Sequence, residues 1–150
     1  MVQIDEIDER ILRELERDGR LSNVRLAEAV SLSPSACLRR VQQLERSGVI
    51  TGYRAQVAPR ARGVSMTAYV LVGLSRHTQS EQAAFEQAMA KAPEVRECHN
   101  ITGAYEYLLR VESAGLEAYK HFHTNVLGAL PQLSTIATYI VMDSPKDQRS

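Results

Sequence analysis

The sequence has no tryptophan, only two cysteines and no long apolar run. Cys37 and Cys98 lie far apart and lack the CxxC or Cys/His spacing of a metal site, so two buried cytosolic thiols are expected. The longest apolar run covers residues 68–74, whereas a membrane span needs about 18 residues. The N-terminal MVQIDEIDER is acidic and has no signal-peptide core. These absences predict a cytoplasmic protein without a membrane partner.

Charge is unevenly distributed, although 18 basic and 18 acidic side chains leave the 150-residue chain with no net charge. Residues 1–18 carry a net charge of −4, residues 19–63 carry +6 and residues 64–150 carry −2. Every base in the middle segment is arginine, whose planar guanidinium makes paired hydrogen bonds to phosphates and guanine edges. The segment is either a nucleic-acid-binding surface or a solvated helix face with scattered ion pairs, and charge alone leaves both open.

The first fifty residues predict three short helices, each preceded by a residue that can cap a helix. Asp5 precedes the apolar stripe of the first helix, and Ser22 precedes that of the second. Ser33 suits the N-cap of the third, and Pro34 suits its first position because the N–H that proline lacks has no helical partner there. This third helix is predicted to end at about Ser47. The short connection between the second and third helices is typical of a helix-turn-helix.

The third predicted helix carries most of the candidate DNA-binding residues. On a helical wheel, Leu38 lies with Cys37, Val41 and Leu44 on a side that is predicted to be buried. The opposite side holds arginine, glutamine and serine without a carboxylate, which favours contacts with base edges and phosphates. We therefore expect a double-stranded DNA operator as partner. The candidate DNA-binding residues are Ser33, Ser35, Arg39, Gln42, Gln43 and Arg46, with Arg25 and Arg40 nearer the phosphates.

The rest of the chain predicts a mixed architecture. Residues 49–63 are interrupted by Pro59 and Gly63 and are interpreted as a hinge with one or two short strands over 49–57. The pattern from Ser65 onward is strand, helix, strand, strand, helix, strand, with Gly103–Ala104 as the central hairpin turn. This order predicts an α+β fold, a ferredoxin-like sandwich with both helices on one side of an antiparallel sheet. The predicted divisions are a helix-turn-helix domain at 1–48, the hinge at 49–63, a βαββαβ domain at 64–142 and a polar tail at 143–150.

The last predicted strand, residues 133–142, is apolar on both of its faces. Tyr139 and Val141 alternate with Ile136, Ile140 and Met142. A sheet with two apolar faces requires cover on both sides, and the two predicted helices cover only one. We expect a second copy of the chain to cover the other face, so a homodimer is predicted.

Together these motifs resemble the Lrp/AsnC (feast/famine) family of transcription regulators. The resemblance rests on SLSPSACLRRVQQLERSGVI, the GY of the hinge, ITGAYEYLLRV and TYIVM, and it covers residues 4–146 in order. It implies an N-terminal DNA-binding domain and a C-terminal domain that dimerises, assembles into tetramers or octamers and binds a small amino acid. The implied function is sequence-specific transcription regulation, in which the amino acid alters oligomerisation and DNA affinity.

The resemblance also implies an effector site near the turn between the second and third strands. The family's Gly-x-x-acid pattern corresponds to Gly103 and Glu106, and a threonine of the last strand corresponds to Thr138. Glu106 stands where the family usually has aspartate, and Ile136-Ala137 replaces polar residues of leucine-responsive members, so the identity of the amino acid stays open. The candidate effector-binding residues are His99, Asn100, Thr102, Gly103, Ala104, Tyr105, Glu106, Ile136 and Thr138.

The residues of this site have a suitable chemistry in their own right. Glu106 can accept the ammonium group of a free amino acid, and backbone N–H groups at 102–104 can hold its carboxylate because Gly103 allows a close approach. Thr138 can add a hydroxyl. In the alternative interpretation, Gly103 is only a hairpin turn residue and Glu106 only an exposed strand residue.

An enzyme is the rival interpretation from another functional class. His121 and His123 lie about 200° apart on the second helix of the βαββαβ domain and cannot chelate one ion from one face, so neither a metal nor a cofactor is expected. Sirohaem decarboxylases have a similar fold, but they would not need the Arg/Gln side of the third helix. A free-standing amino-acid sensor resembling an ACT module is the other alternative, and it leaves the first fifty residues unexplained.

Overall fold

The structure, a computed structural model, describes residues 3–147 and divides them into two compact units. One unit ends at Gln56, and the other spans Val57–Asp147. The first is a three-helix helix-turn-helix, and the second is a βαββαβ unit with one antiparallel sheet, so the predicted α+β fold is confirmed. Within the described residues, no helix is both long and apolar enough to cross a membrane.

The N-terminal unit is built from three capped helices: α1 (Glu6–Arg17), α2 (Asn23–Val30) and α3 (Pro34–Arg46). As predicted, Asp5, Ser22 and Ser33 each accept a hydrogen bond from the backbone of the following first turn. Such caps satisfy N–H groups that have no partner inside a helix. Each helix therefore begins at the residue after its cap.

The core of this unit lies between the three helices and contains the buried residues Ile11, Leu26, Ala27, Val30, Cys37 and Leu44. Leu38, which was expected there, is 46% exposed. That prediction is wrong because the buried side of α3 centres on Cys37, and consecutive residues of a helix point about 100° apart. Burial raises the pKa of the Cys37 thiol, which packs as a small apolar side chain.

An ion pair joins α3 to the beginning of α1. Arg40 Nη1 lies 2.7 Å from Asp5 Oδ2 and 2.9 Å from Asp8 Oδ1. The hydrogen bond from the Asp8 backbone N–H and the Arg40 guanidinium lower the pKa of Asp5, and the two carboxylates raise the pKa of Arg40. Because Asp5 is also the N-cap of α1, the same carboxylate orders the start of α1 and holds α3 against it.

The short strands predicted over residues 49–57 are wrong. Val49 and Ile50 pack against the N-terminal core, and residues 51–58 form no regular secondary structure. Pro59–Arg62 forms a short 3-10 turn. A strand must pair its backbone groups with a neighbour, and none of the strands within residues 3–147 pairs with this segment.

The C-terminal unit has its elements in the predicted order: β1 (Met66–Leu74), α4 (Gln79–Lys91), β2 (Val95–Asn100), β3 (Tyr107–Ser113), α5 (Leu116–Phe122) and β4 (Leu133–Ile140). The strands lie in the order β2-β3-β1-β4, and all neighbours are antiparallel. The central strand β1 therefore bonds to both β3 and β4, while β2 and β4 form the edges of the sheet. Cys98 of the edge strand β2 is exposed, so the prediction of a buried thiol is wrong there.

The connection between β2 and β3 is longer than the tight turn predicted at Gly103–Ala104. The Ile101 N–H donates to the Glu106 carbonyl at 2.8 Å and closes a loop over residues 101–106. The Glu106 N–H donates to the Val72 carbonyl of β1 at 3.0 Å. The loop is thus anchored on the central strand as well as on the hairpin that it closes.

Helices α4 and α5 cover only one face of the sheet. On this face, Val70 and Val72 of β1 and Phe85 of α4 have no exposed surface. The opposite face carries Tyr69 and Tyr139, which are 38% and 60% exposed. The face without helices therefore also exposes large aromatic side chains, as the pattern of the last strand predicts.

Acid is expected to weaken the N-terminal unit through Asp5. Because its pKa is lower in the folded protein than the ordinary 3.8, ionised Asp5 stabilises the fold above that pH, and this stabilisation is lost as the pH falls through the lowered pKa. The Asp5→Asn variant should therefore show a shallower loss of unfolding free energy between about pH 5 and about pH 2, measured by urea denaturation and circular dichroism. The matched control is Glu16→Gln, which removes an exposed carboxylate of α1. Equal slopes for Asp5→Asn and wild type would contradict this role.

Candidate nucleic-acid interface and effector site

The outward side of α3 has the composition that the sequence predicts. Ser35, Arg39, Gln42, Gln43 and Arg46 are all exposed there, and Leu38 and Glu45 are exposed at its edge. Neither Arg39 nor Arg46 forms an ion pair with another residue between 3 and 147. Both guanidinium groups can therefore contact a phosphate or a base edge without first breaking a salt bridge.

The turn between α2 and α3 is held by side-chain hydrogen bonds. Asn23 Nδ2 donates to the Pro34 carbonyl at 2.8 Å, and Ser33 Oγ lies 3.3 Å from Ser35 Oγ. Ser31 adopts the left-handed conformation, with φ of 60°, at the end of α2. The orientation of α3 on α2 is thereby fixed. Sequence periodicity did not indicate Asn23, because its contact spans the turn.

The two arginines expected nearer the phosphates lie in different surroundings. Arg25 is exposed in the first turn of α2 and forms no ion pair within residues 3–147. The guanidinium of Arg40 is instead engaged by Asp5 and Asp8, and its side chain is 31% exposed. In this arrangement Arg25 presents an unpaired charge, whereas Arg40 positions α3.

Glu106 is held in place at the end of the β2–β3 loop. Its Oε2 accepts a hydrogen bond from the Leu74 N–H at 2.6 Å, and its Oε1 lies 3.3 Å from His77 Nδ1. The side chain is only 19% exposed. The alternative of an exposed strand residue therefore does not describe Glu106, whose carboxylate is oriented by a backbone donor and meets an exposed histidine.

The neighbouring loop presents accessible backbone. Thr102, Gly103 and Ala104 are exposed, and Gly103 has a φ of 129°, which favours glycine. Asn100 Nδ2 donates to the Glu106 carbonyl at 3.2 Å and supports the loop from β2. Two further candidates lie nearby. His99 is exposed, and its Nε2 lies 3.4 Å from Glu97 Oε2, whereas Tyr105 is half-buried.

Thr138 and Ile136 lie on the helix-facing side of the sheet. The Thr138 hydroxyl is hydrogen-bonded to the Tyr119 hydroxyl of α5, and burial raises the pKa of Tyr119. Ile136 packs against the core of the C-terminal unit. Glu106 instead reaches the end of β1 beside Gly73, so a single chain does not bring Glu106 and Thr138 together.

Gly73 marks a cluster that the sequence did not reveal. It pairs with Thr135 of β4, and a Cβ placed on Gly73 would lie 2.2 Å from Thr135 Oγ1, 3.3 Å from Ser134 Oγ and 3.6 Å from Glu106 Oε2. These three oxygens come from two elements distant in sequence. Only the pairing register of β1 and β4 brings them together, so periodicity provided no signal for them.

No metal centre accompanies this site in the part of the chain that the structure describes. Between residues 3 and 147, no group of three or more histidine, cysteine, aspartate or glutamate side chains is arranged to hold an ion.

Known protein families match both units. Residues 4–51 match the winged helix-turn-helix DNA-binding family, and residues 67–150 match the Lrp/AsnC ligand binding domain. Leucine-responsive regulatory proteins of Klebsiella pneumoniae and Escherichia coli K12 are 39% identical over 143 residues, covering 95% of this chain and 87% of theirs.

Solved structures agree with these matches. A transcriptional regulator of Neisseria meningitidis in complex with L-Met has a TM-score of 0.92 and 33% identity, covering 97% of this chain and 94% of that one. E. coli AsnC has a TM-score of 0.89 and 25% identity, and the match covers 99% of this chain and 98% of AsnC. The relatives are transcription regulators, which decides against the enzyme interpretation. The chain belongs to the Lrp/AsnC family of transcription regulators, with a helix-turn-helix that binds DNA and a domain that binds a small ligand.

Proposed function

We propose that the protein binds a DNA operator through α3, and that an apolar L-amino acid bound at Glu106 alters its oligomerisation and DNA affinity. The observation that carries this proposal is the exposed side of α3, where Arg39 and Arg46 form no ion pair within residues 3–147. Bound to an operator, the protein would act in the cytoplasm, the location expected from its sequence.

The chemistry of α3 supports base reading in the major groove. Arginine makes paired hydrogen bonds to guanine, glutamine makes them to adenine, and serine contacts either. In a helix-turn-helix the second helix of the motif enters the major groove, and here that helix is α3. Ser35, Arg39, Gln42, Gln43 and Arg46 then face base edges, while Arg25 lies nearer the backbone phosphates. Arg40 contributes chiefly by holding α3 on α1.

Arg39→Ala should weaken operator binding by about 1–3 kcal/mol, because a paired contact to a base edge is lost. Fluorescence anisotropy with DNA from the adjoining intergenic region, at one salt concentration, measures the loss. The control is Arg17→Ala, which removes an equally charged side chain of α1 that is 82% exposed. If folded Arg39→Ala binds as tightly as wild type, this assignment of the outward side of α3 is wrong.

A second copy of the chain would cover the helix-free face of the sheet. Tyr69 and Tyr139 are exposed on this face, and β4 offers an unpaired edge. Arg110 lies on the same face near Glu97 and Glu112, is 7% exposed, and its Nε has no hydrogen-bond partner within residues 3–147. A partner chain would bury the aromatic rings. These features support a homodimer, and the family resemblance implies its further assembly into tetramers or octamers.

Tyr139→Asp should shift the protein from an oligomer towards monomer, because burying an unpaired carboxylate in the interface costs several kcal/mol. Light scattering at micromolar concentration measures the mass. Leu116→Asp is the matched control, since Leu116 is 66% exposed on α5, which covers the other face of the sheet. A wild-type mass of 16.7 kDa, that of a single chain, would contradict the proposed assembly.

Glu106 and the loop before it support an amino-acid effector. The Glu106 carboxylate is oriented by the Leu74 N–H, and the exposed backbone at 102–104 can donate hydrogen bonds to a ligand carboxylate. Ile136 packs against the core on the helix-facing side and does not line a site at Glu106, so the expectation of an apolar side chain rests on a relative. The Neisseria meningitidis relative was solved with L-Met, an amino acid of this class.

Glu106→Gln should weaken amino-acid binding by about 1–3 kcal/mol, because a charge-assisted hydrogen bond to the ammonium is lost. Its DNA binding without ligand should stay close to wild type, since Glu106 belongs to the C-terminal unit. Calorimetry across the twenty standard L-amino acids measures the affinities, with exposed Glu117→Gln on α5 as control. Equal affinity of Glu106→Gln and wild type for the best ligand would show that the pocket lies elsewhere.

A further inference from the structure

The lack of a side chain at Gly73 lets three oxygens approach one point beside β1. Thr135 Oγ1 lies 2.2 Å from the place that a Gly73 Cβ would take, and Ser134 Oγ and Glu106 Oε2 lie 3.3 Å and 3.6 Å from it. Any larger residue at position 73 would meet the Thr135 hydroxyl and displace it. The cluster thus depends on glycine at this position of the central strand.

The two hydroxyls in this cluster are not used by the fold. Ser134 and Thr135 are exposed, and neither side chain forms a hydrogen bond with another residue between 3 and 147. Glu106 is held by the Leu74 N–H, which keeps its carboxylate beside them. Around buried Gly73 the protein therefore places one oriented carboxylate and two exposed hydroxyls without partners among the described residues.

A primary ammonium group fits this cluster in number and in charge. It has three N–H donors and no acceptor, so it requires three acceptors for full hydrogen bonding. One carboxylate oxygen and two hydroxyls provide them, and the carboxylate adds a charge-assisted hydrogen bond. The negative charge of Glu106 would repel the carboxylate of the ligand. The backbone N–H groups of residues 102–104 can donate hydrogen bonds to that carboxylate instead.

We propose that Ser134 and Thr135 bind the ammonium group of the amino-acid effector together with Glu106, and that Gly73 keeps the space for them. This inference rests on the proposed function and names specificity-determining residues for it. It assigns the hydroxyl contact to Thr135 rather than to Thr138, whose hydroxyl is bonded to Tyr119 on the helix-facing side. The effector must then carry a free ammonium group.

The test is calorimetry on the full chain with whichever of the twenty standard L-amino acids binds wild type most tightly. Thr135→Val keeps the shape of the side chain and removes the hydroxyl, and it should weaken binding by about tenfold to a hundredfold. Ser134→Ala should weaken it as well, and it keeps the proposal testable if Thr135→Val does not fold. The N-acetylated form of the same amino acid should not bind wild type, because its ammonium is gone.

The matched control is Thr124→Val, which removes an exposed hydroxyl after α5 and should keep wild-type affinity. Wild-type affinity in Thr135→Val and Ser134→Ala, a loss of binding confined to Thr138→Val, or tight binding of the N-acetylated ligand would each overturn this assignment. If Glu106→Gln still weakens binding in that case, the proposed function stands and only the hydroxyl contacts are wrong. If no amino acid binds wild type, both proposals fail.

Discussion

The place of β1 in the middle of the sheet determines where Glu106, Thr135 and Thr138 lie. Because β1 pairs with β3 and β4 at once, its register sets Gly73 opposite Thr135 and turns Thr138 towards the helices. Glu106 joins the same end of the sheet through its bond to the Leu74 N–H. A slip of β4 by one residue would exchange the faces of Thr135 and Thr138. The same pairing that stabilises the sheet therefore selects which hydroxyl can meet Glu106.

In the N-terminal unit the side of α3 that is proposed to bind DNA follows from what the helix buries. Cys37 has no exposed surface and Leu44 is nearly as buried, so the opposite side must face solvent. Arg40 is held near the edge of the buried side by Asp5 and Asp8. The arginines left on the outside carry the excess positive charge of residues 19–63, and their side chains can steer the unit to DNA.

Features that depend on local interactions could be predicted from the sequence, whereas features that depend on pairing between distant segments could not. Ser33 identifies the beginning of α3 because a cap bonds to the next few residues. Leu38 was misplaced because choosing the buried side of α3 requires knowing which helices it packs against. Residues 49–57 alternate like a strand but have no partner within residues 3–147. Glu106 was found by resemblance, while Ser134 and Thr135 join it only through strand register.

Regulation requires that an amino acid bound to the C-terminal unit changes the DNA affinity of the N-terminal unit. The most direct measurement determines operator affinity with and without saturating amino acid, and amino-acid affinity with and without operator, at one salt concentration. Because coupling between two binding sites is reciprocal, both affinities should change by the same factor, typically about 5-fold to 150-fold. Unchanged operator affinity at saturating amino acid would contradict an amino-acid-responsive regulator.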